Sequence, residues 1–327
     1  MELKNSEWPP SVNAENFNDI ALAAFAFQHE HNALYRAFAD ALQVDATRVT
    51  HLEQIPYLPI SFFKTHRVVT GAVPEPAYIF ESSGTTGEIP SRHYVADSAV
   101  YERSLLEGFR AVYGAPQEYV LLALLPSYLE RSNASLVQMA RTLMEHSGHP
   151  DCGFYLDEWE RLKEVLERCE ATGQKTLLLG VTFALLDFAE RYPMALKHTV
   201  VMETGGMKGR REEWTREQVH QYLQQQWGLK EVHSEYGMTE LLSQAYAPRN
   251  GVFTPAASMK VLVRDINDPL EVSAHGVGCL NVIDLANIHS CCFIATEDIG
   301  RLSSNGTFEV LGRMDHAALR GCSLMTV

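Results

Sequence analysis

Between Tyr119 and Ser234, short apolar runs alternate with longer amphipathic ones, and this rhythm constrains the fold more than any other feature of the chain. Tyr119–Leu125, Cys152–Leu156, Thr176–Gly180, His198–Glu203 and Lys230–Ser234 read as strands. Ala134–His146, Glu158–Glu170, Thr182–Arg191 and Glu212–Trp227, lying between them, read as helices. The alternation points to a parallel sheet flanked by helices. Thr215 with Gln218 fits a capping box in the last helical stretch, and Gly228 fits its stop. Upstream, Phe17–Leu42 reads as one helix and Ala99–Tyr113 as another. Pro56 and Pro59 forbid a regular helix at the start of Ile55–His66, which is expected to be tacked to the core.

Beyond about Gln244 the texture changes. Met259–Arg264, Cys279–Ile283, Cys291–Thr296 and Phe308–Leu311 read as strands separated by Asp-, Asn- and Gly-containing turns. The fold class is therefore α/β, with residues 1–243 forming the α/β region and 244–327 a smaller β-rich subdomain ending in a short tail.

A formal charge of −14 argues against a nucleic-acid partner, which would need a basic face. The six cysteines show no Cys-x-x-Cys spacing, so neither zinc nor redox chemistry is indicated, and adjacent Cys291 and Cys292 read as buried apolar groups. The first residues lack the pattern of a signal peptide. The longest mostly apolar stretch, Thr176 to Ala189, is too short to span a bilayer. A cytoplasmic protein without a membrane partner is the expectation.

Glu81-Ser82-Ser83-Gly84-Thr85-Thr86-Gly87 follows an apolar run, and its two glycines can take positive φ without steric cost. Its hydroxyls and backbone N–H groups suit an anion such as a polyphosphate; a Ser/Gly turn without a ligand is the alternative. It is not the NTPase P-loop, because Glu88-Ile89 stand where Lys-Ser/Thr would be. Four more polar, Gly-containing clusters are expected just after strands: Glu203–Gly209, His233–Glu240, Thr296–Gly300 and Gly312–Asp315. In an open parallel sheet, ligands bind beyond the carboxyl ends of the strands.

In order, Ser83–Gly87, Tyr236-Gly237-Met238-Thr239-Glu240, Asp298 before Gly300, and Gly312-Arg313-x-Asp315 resemble the motif set of the adenylate-forming superfamily. Within it the chain is most similar to the acyl-protein synthetase subunit of the bacterial bioluminescence fatty-acid reductase, and more distantly to phenylacetate–CoA ligases. Leu124–Arg131, Glu203–Arg211 and Arg320-Gly321-Cys322 carry the narrower likeness.

The resemblance implies ATP and Mg²⁺ as cofactors and a carboxylic acid, expected to be fatty, as substrate. Ser82, Ser83, Gly84, Thr85, Thr86 and Gly87 would hold the β- and γ-phosphates. Gly205 and Gly206 would lie against adenine, with Tyr236 stacked on the ring and Glu235, Gly237, Met238 and Thr239 bordering the nucleotide. Glu240, with Thr239, would place the metal. Asp298 and Arg313 would meet the ribose. Pro126, Ser127, Tyr128, Thr182 and Phe183 are expected around the acyl group.

Most superfamily members continue into a mobile domain bearing a catalytic lysine, whereas 12 residues follow Asp315 here. Lys208, Lys64 or Arg210 is the expected substitute. Cys322 matches the family's acyl-accepting cysteine, and Arg320 would favour its thiolate. A reductase or carrier protein is the expected onward acceptor. The competing readings are a coenzyme A ligase in which Cys322 is idle, and a non-catalytic nucleotide or acyl-adenylate binder.

Overall fold

A computed structural model describes residues 8–82, 89–126, 133–156, 158–205 and 214–314. The chain starts with helices α1 (Phe17–His31) and α2 (Ala33–Ala41), strand β1 (Leu58–Pro59) and the single turn α3 (Phe62–Thr65). Where the sequence reads as one helix from 17 to 42, the structure breaks at Asn32. Its extended backbone (φ −111°) starts a second helix, and its side chain caps that helix by accepting from Tyr35 N at 3.0 Å. The same amide donates to Ser290 O at 2.9 Å, so a tertiary contact reinforces the break.

A hairpin follows, β2 (Tyr78–Glu81) with β3 (Arg92–Val95), and then α4 (Ser98–Tyr113). The alternating region gives β4 (Val120–Leu124), α5 (Ser135–Ser147), β5 (Gly153–Phe154), α6 (Trp159–Thr172), β6 (Thr176–Val181), α7 (Thr182–Arg191), β7 (Thr199–Thr204), α8 (Arg216–Trp227) and β8 (His233–Tyr236). Pairing along β8–β7–β6–β4–β5 is parallel, as the rhythm of the sequence requires. At the start of α8, Thr215 and Gln218 form the reciprocal capping box, and Gly228 stops the helix in the left-handed region (φ +64°).

The remaining strands are β9 (Ala245–Ala247), β10 (Val252–Pro255), β11 (Met259–Arg264), β12 (Val272–Ser273), β13 (Gly276–Asp284), β14 (Phe293–Leu302) and β15 (Phe308–Arg313). They pair antiparallel and continue the parallel strands into one sheet, which with β1 has 13 strands among the described residues. Thr296–Gly300, expected after a strand, lies within β14, and Gly312 and Arg313 lie in β15, where Arg313 faces Asp298 in the ladder. The ladder runs past the apolar segments because Gly300 admits a bulge there; a β-carbon on it would stand 2.6 Å from Glu309 O.

Two cores lie against this sheet. One gathers apolar side chains from Phe80 to Val232, with Leu242, Tyr246 and Ala286, around the parallel strands, with α4 to α8 packed over them. The other joins residues of the N-terminal segment, among them Trp8, Phe25, Tyr35 and Phe63, to the antiparallel strands. Residues 8–68, which the sequence places in the first region, thus share their core with strands of the second. The join is strand addition: β1 pairs in parallel with Ile294–Ala295 of β14, and Ile60 N donates to Ala295 O at 3.0 Å.

Candidate active site

A cavity of about 280 Å³ opens where the carboxyl ends of β7 and β8 meet the hairpin β2–β3 and the N-terminal segment. Thr204, Gly205 and Glu235 reach it from those strand ends, and Gly237, Thr239 and Glu240 from the turn beyond β8. Gly205 takes φ +77°, a conformation that only glycine adopts cheaply. The turn is pinned by buried Asp284, whose carboxylate accepts from Leu242 N (2.7 Å), Ser243 N (2.9 Å) and Ser243 Oγ (2.5 Å). His93, buried in β3, donates Nδ1–H to Thr239 O at 2.9 Å; burial lowers its pKa to about 4 and keeps the ring neutral.

One end of the cavity carries charge. Lys64, Glu240 and Arg313 line it together with Ser82 and Ser91. Burial raises the pKa of Glu240, while Ser91, Arg313 and Lys64 oppose that shift, which brings all four groups into one electrostatic neighbourhood. Ser82 Oγ accepts from Ser91 N at 2.8 Å, so the start of the glycine loop is tied to β3. Arg313 Nε stands 3.2 Å from Asp298 Oδ1, and the Tyr236 hydroxyl donates to Asp298 Oδ2 at 2.9 Å.

Tyr101 of α4, Leu136 and Met139 of α5, and Thr204, Glu235 and Gln244 also line the cavity. Thr204 Oγ1 donates to Glu235 Oε2 at 2.6 Å. Burial, which outweighs that hydrogen bond, raises the pKa of Glu235 to about 7, with nearby Glu203 adding to the shift. Glu203 sits one position back from Thr204, so it points to the opposite face of the sheet. Burial opposes its charge too, but hydrogen bonding to His220, the Arg216 charge and Ser234 Oγ (2.6 Å) together hold its pKa below the usual value.

The residues expected from the sequence divide three ways. Ser82, Gly205, Glu235, Gly237, Met238, Thr239, Glu240 and Arg313 converge on the cavity, and Asp298 is paired to Arg313 at its rim. Tyr236 is turned to the opposite face from Glu235: its ring meets Phe253 (centroids 5.8 Å apart) and Phe308 (5.2 Å), and its hydroxyl braces Asp298. Thr182 and Phe183 begin α7 and are off the cavity lining, though Thr182 Oγ1 stands 3.4 Å from the carbonyl oxygen of cavity-lining Gly205. Thr182 donates to Glu203 Oε2 at 3.1 Å, Phe183 is in the core around the parallel strands, and half-buried Pro126 is likewise off the cavity lining. Ser83, Gly84, Thr85, Thr86, Gly87, Ser127, Tyr128, Gly206, Lys208, Arg210, Arg320 and Cys322 lie outside the described residues.

Tyr101, Met139 and Gln244 also line the cavity without a signal in the sequence. Tyr101 and Met139 lie on amphipathic helices, where an apolar residue at helical spacing reads as core. Among the described residues no cluster of three metal-ligating side chains occurs. Mg²⁺ does not need one, since it binds through one or two carboxylates plus substrate phosphates, and cavity-facing Glu240 suits that role.

The family model "Acyl-protein synthetase, LuxE" matches residues 4–326. The chain belongs to the LuxE acyl-protein synthetase family. A LuxE-type relative, the long-chain-fatty-acid–luciferin-component ligase of Photorhabdus luminescens, is 37% identical over 68 residues, which make up 21% of this chain and 58% of that protein. Among solved structures, a 2-hydroxyisobutyryl-CoA ligase in complex with 2-HIB-AMP and CoA matches with a TM-score of 0.65 at 13% identity, over 93% of this chain and 69% of that one. The O-succinylbenzoate coenzyme A synthetase MenE of Bacillus subtilis, in complex with ATP and magnesium ion, matches with a TM-score of 0.52 at 16% identity. That match covers 74% of this chain and 51% of MenE, so the LuxE-family chain spans about half the length of such a relative. These likenesses establish the adenylate-forming fold. Among the described residues no helix is long and apolar enough to cross a membrane.

Proposed function

We propose that this LuxE-family chain activates a carboxylic acid with ATP and passes the acyl group to a thiol, Cys322 of its own tail. The observation that carries the reading is the convergence of Ser82, Thr239, Glu240 and Arg313 on one cavity, which Tyr101, Leu136 and Met139 also line. In the first step a carboxylate oxygen bonds to the α-phosphorus of ATP, the bond to the β-phosphate oxygen breaks, and pyrophosphate leaves. Both reactants are anionic, so the chemistry depends on positive charge placed in advance.

Lys64 and Arg313 supply such charge beside Glu240, and Lys64 is the candidate catalytic lysine among the described residues. Mg²⁺ bound at Glu240 would neutralise phosphate charge when present. Asp298, held by Tyr236 and Arg313, presents its carboxylate to the ribose hydroxyls. In the second step the Cys322 thiolate attacks the acyl carbon, the acyl–phosphate bond breaks and AMP leaves. Arg313 lines the cavity and Cys322 is nine residues further on, so an extended tail reaches at most about 30 Å, enough to return to the site. A reductase or carrier protein would then take the acyl group from the thioester.

Incubation with ATP, Mg²⁺ and a panel of carboxylic acids tests this. Pyrophosphate release and an acyl mass on the Cys322 peptide are expected. Cys322→Ser should keep pyrophosphate release and lose the label, whereas Lys64→Ala should lower release by about a hundredfold. Label on another residue would remove Cys322 from the mechanism, and thioester formation only with added coenzyme A would favour a coenzyme A ligase. No release with any acid would leave a nucleotide or acyl-adenylate binder.

A further inference from the structure

Beside the catalytic cavity lies a larger groove of about 1110 Å³, above the usual range of small-molecule sites. Phe38, Leu42, Ile55, Leu270 and Val272 give it an apolar surface, and Leu270 is 64% exposed. Ile60 and Glu297 line both spaces, so the two adjoin. β15 ends at that shared wall. Arg313 faces Asp298 in the ladder, and Met314 N donates to Glu297 O at 2.8 Å. Two positions further along the same edge of β14 the place is taken, because Pro59 of β1 pairs with Ala295 and Ile60 N donates to Ala295 O. β13 holds the opposite edge. The ladder is therefore blocked just past Met314, at the point where cavity and groove meet. Arg313 lines the cavity and Met314 the groove, as successive residues of a strand point to opposite faces.

We infer that the groove seats residues 316–327 of this same chain, so that the segment bearing Cys322 has two berths, the groove at rest and the cavity for acyl transfer. The second berth rests on the reading of Cys322 as acyl acceptor. The chemistry of the two surfaces matches. Residues 316–327 include Leu319, Leu324, Met325 and Val327, contain no acidic residue, and carry one basic side chain, Arg320, besides His316. The groove meets them with apolar walls and with the carboxylates of Glu53 and Glu297. Arg264, its cation among the described residues, is buried and donates to Leu280 O, Asn281 Oδ1 and Thr296 O. Reach fits as well: Cys322 lies eight residues past Met314, so either space is within its extended span of about 29 Å. An occupant tethered at the groove's own wall has an effective concentration on the order of millimolar, so weak apolar contacts are enough to hold it. With the segment at rest in the groove, acid and ATP enter the cavity unobstructed, and Cys322 crosses the shared wall for the second step.

Disulfide trapping on the full chain tests the resting berth without ATP or acid. Leu270→Cys puts a thiol on the groove, and Leu311→Cys puts one on an exposed position of β15 outside it, nearer to Cys322 in sequence. Under mild oxidation, a disulfide to Cys322 is expected to form at least about tenfold faster from position 270 than from position 311, read by peptide mass. Equal rates, or a faster bond from 311, overturn the inference. A disulfide that joins two chains overturns it too, by giving the groove to a second copy. Leu270→Glu supplies an independent reading. A segment seated about nine-tenths of the time is alkylated about a tenth as fast, so iodoacetamide should modify Cys322 about tenfold faster in this variant, with pyrophosphate release unchanged. An unchanged alkylation rate overturns the inference. If trapping fails while an acyl label still appears on Cys322, the groove is not the seat and the acceptor reading stands. Trapping without any acyl label on Cys322 upholds the seat and removes the transfer reading.

Discussion

Glu203 and Glu235 sit on neighbouring strands, are equally hidden from water, and carry opposite pKa shifts. Glu203 has an arginine, a histidine and a serine hydroxyl about it, whereas Glu235 has one threonine hydroxyl and three tyrosine rings in electrostatic range. Raising Glu235 from 4.5 to about 7 means that the native state keeps a proton the unfolded chain has already lost between those pH values. Its contribution is therefore full below pH 4.5 and falls as pH rises through about 7, by about 3 kcal/mol in all. Gln at this position cannot titrate. Urea titrations should show the stability of the parent protein relative to Glu235→Gln falling by that amount between pH 4.5 and 8. His93 and His233, both held near pKa 4 by burial, push the other way, but they do so equally in both proteins. A flat difference would mean that Glu235 is solvated.

Among the elements, the N-terminal helices show how side chains from one end of the chain complete backbone groups at the other. Gln28 of α1 is fully buried; its amide donates to Asn287 O (3.0 Å) and Ile288 O (2.9 Å), and its carbonyl accepts from Cys292 N (2.9 Å). This one side chain satisfies the turn that leads into β14. Gln28→Leu keeps the volume but orphans these groups, and a loss of about 3 kcal/mol is expected in chemical unfolding. Gln28→Glu should recover only part of it, because a carboxylate accepts from Cys292 N but cannot donate to the two carbonyls. A loss below about 0.5 kcal/mol in Gln28→Leu would show that water replaces the amide. The same elements also mark a limit of sequence reading. Helical spacing runs through 17–42 without a visible stop, since Asn32 is an ordinary helix residue until Ser290 and Thr70 are brought to its amide.

At the scale of the whole molecule, the sheet is continuous from β5 to β12 and the two cores lie against it together. Trp8 belongs to one core and Trp227 to the other. Variants retaining only Trp8 or only Trp227, the other tryptophans replaced by Phe, should therefore unfold in urea with coincident midpoints. Separated midpoints would mean that the N-terminal core opens on its own.

The local pattern by itself determined the parallel layer, the β-rich texture after Gln244 and the α8 cap, because periodicity and turn chemistry act between neighbours in sequence, whereas the residues of the charged end followed from the family resemblance. Only the tertiary structure decided that α1 and α2 pack on strands more than two hundred residues away, and that Tyr236 turns from the cavity to hold Asp298. It also decided that Glu235 and Gln244 line the cavity, while Thr182 hydrogen-bonds Glu203. A side chain's environment is set by what the fold lays against it, and burial, unlike spacing, is a property of the whole chain.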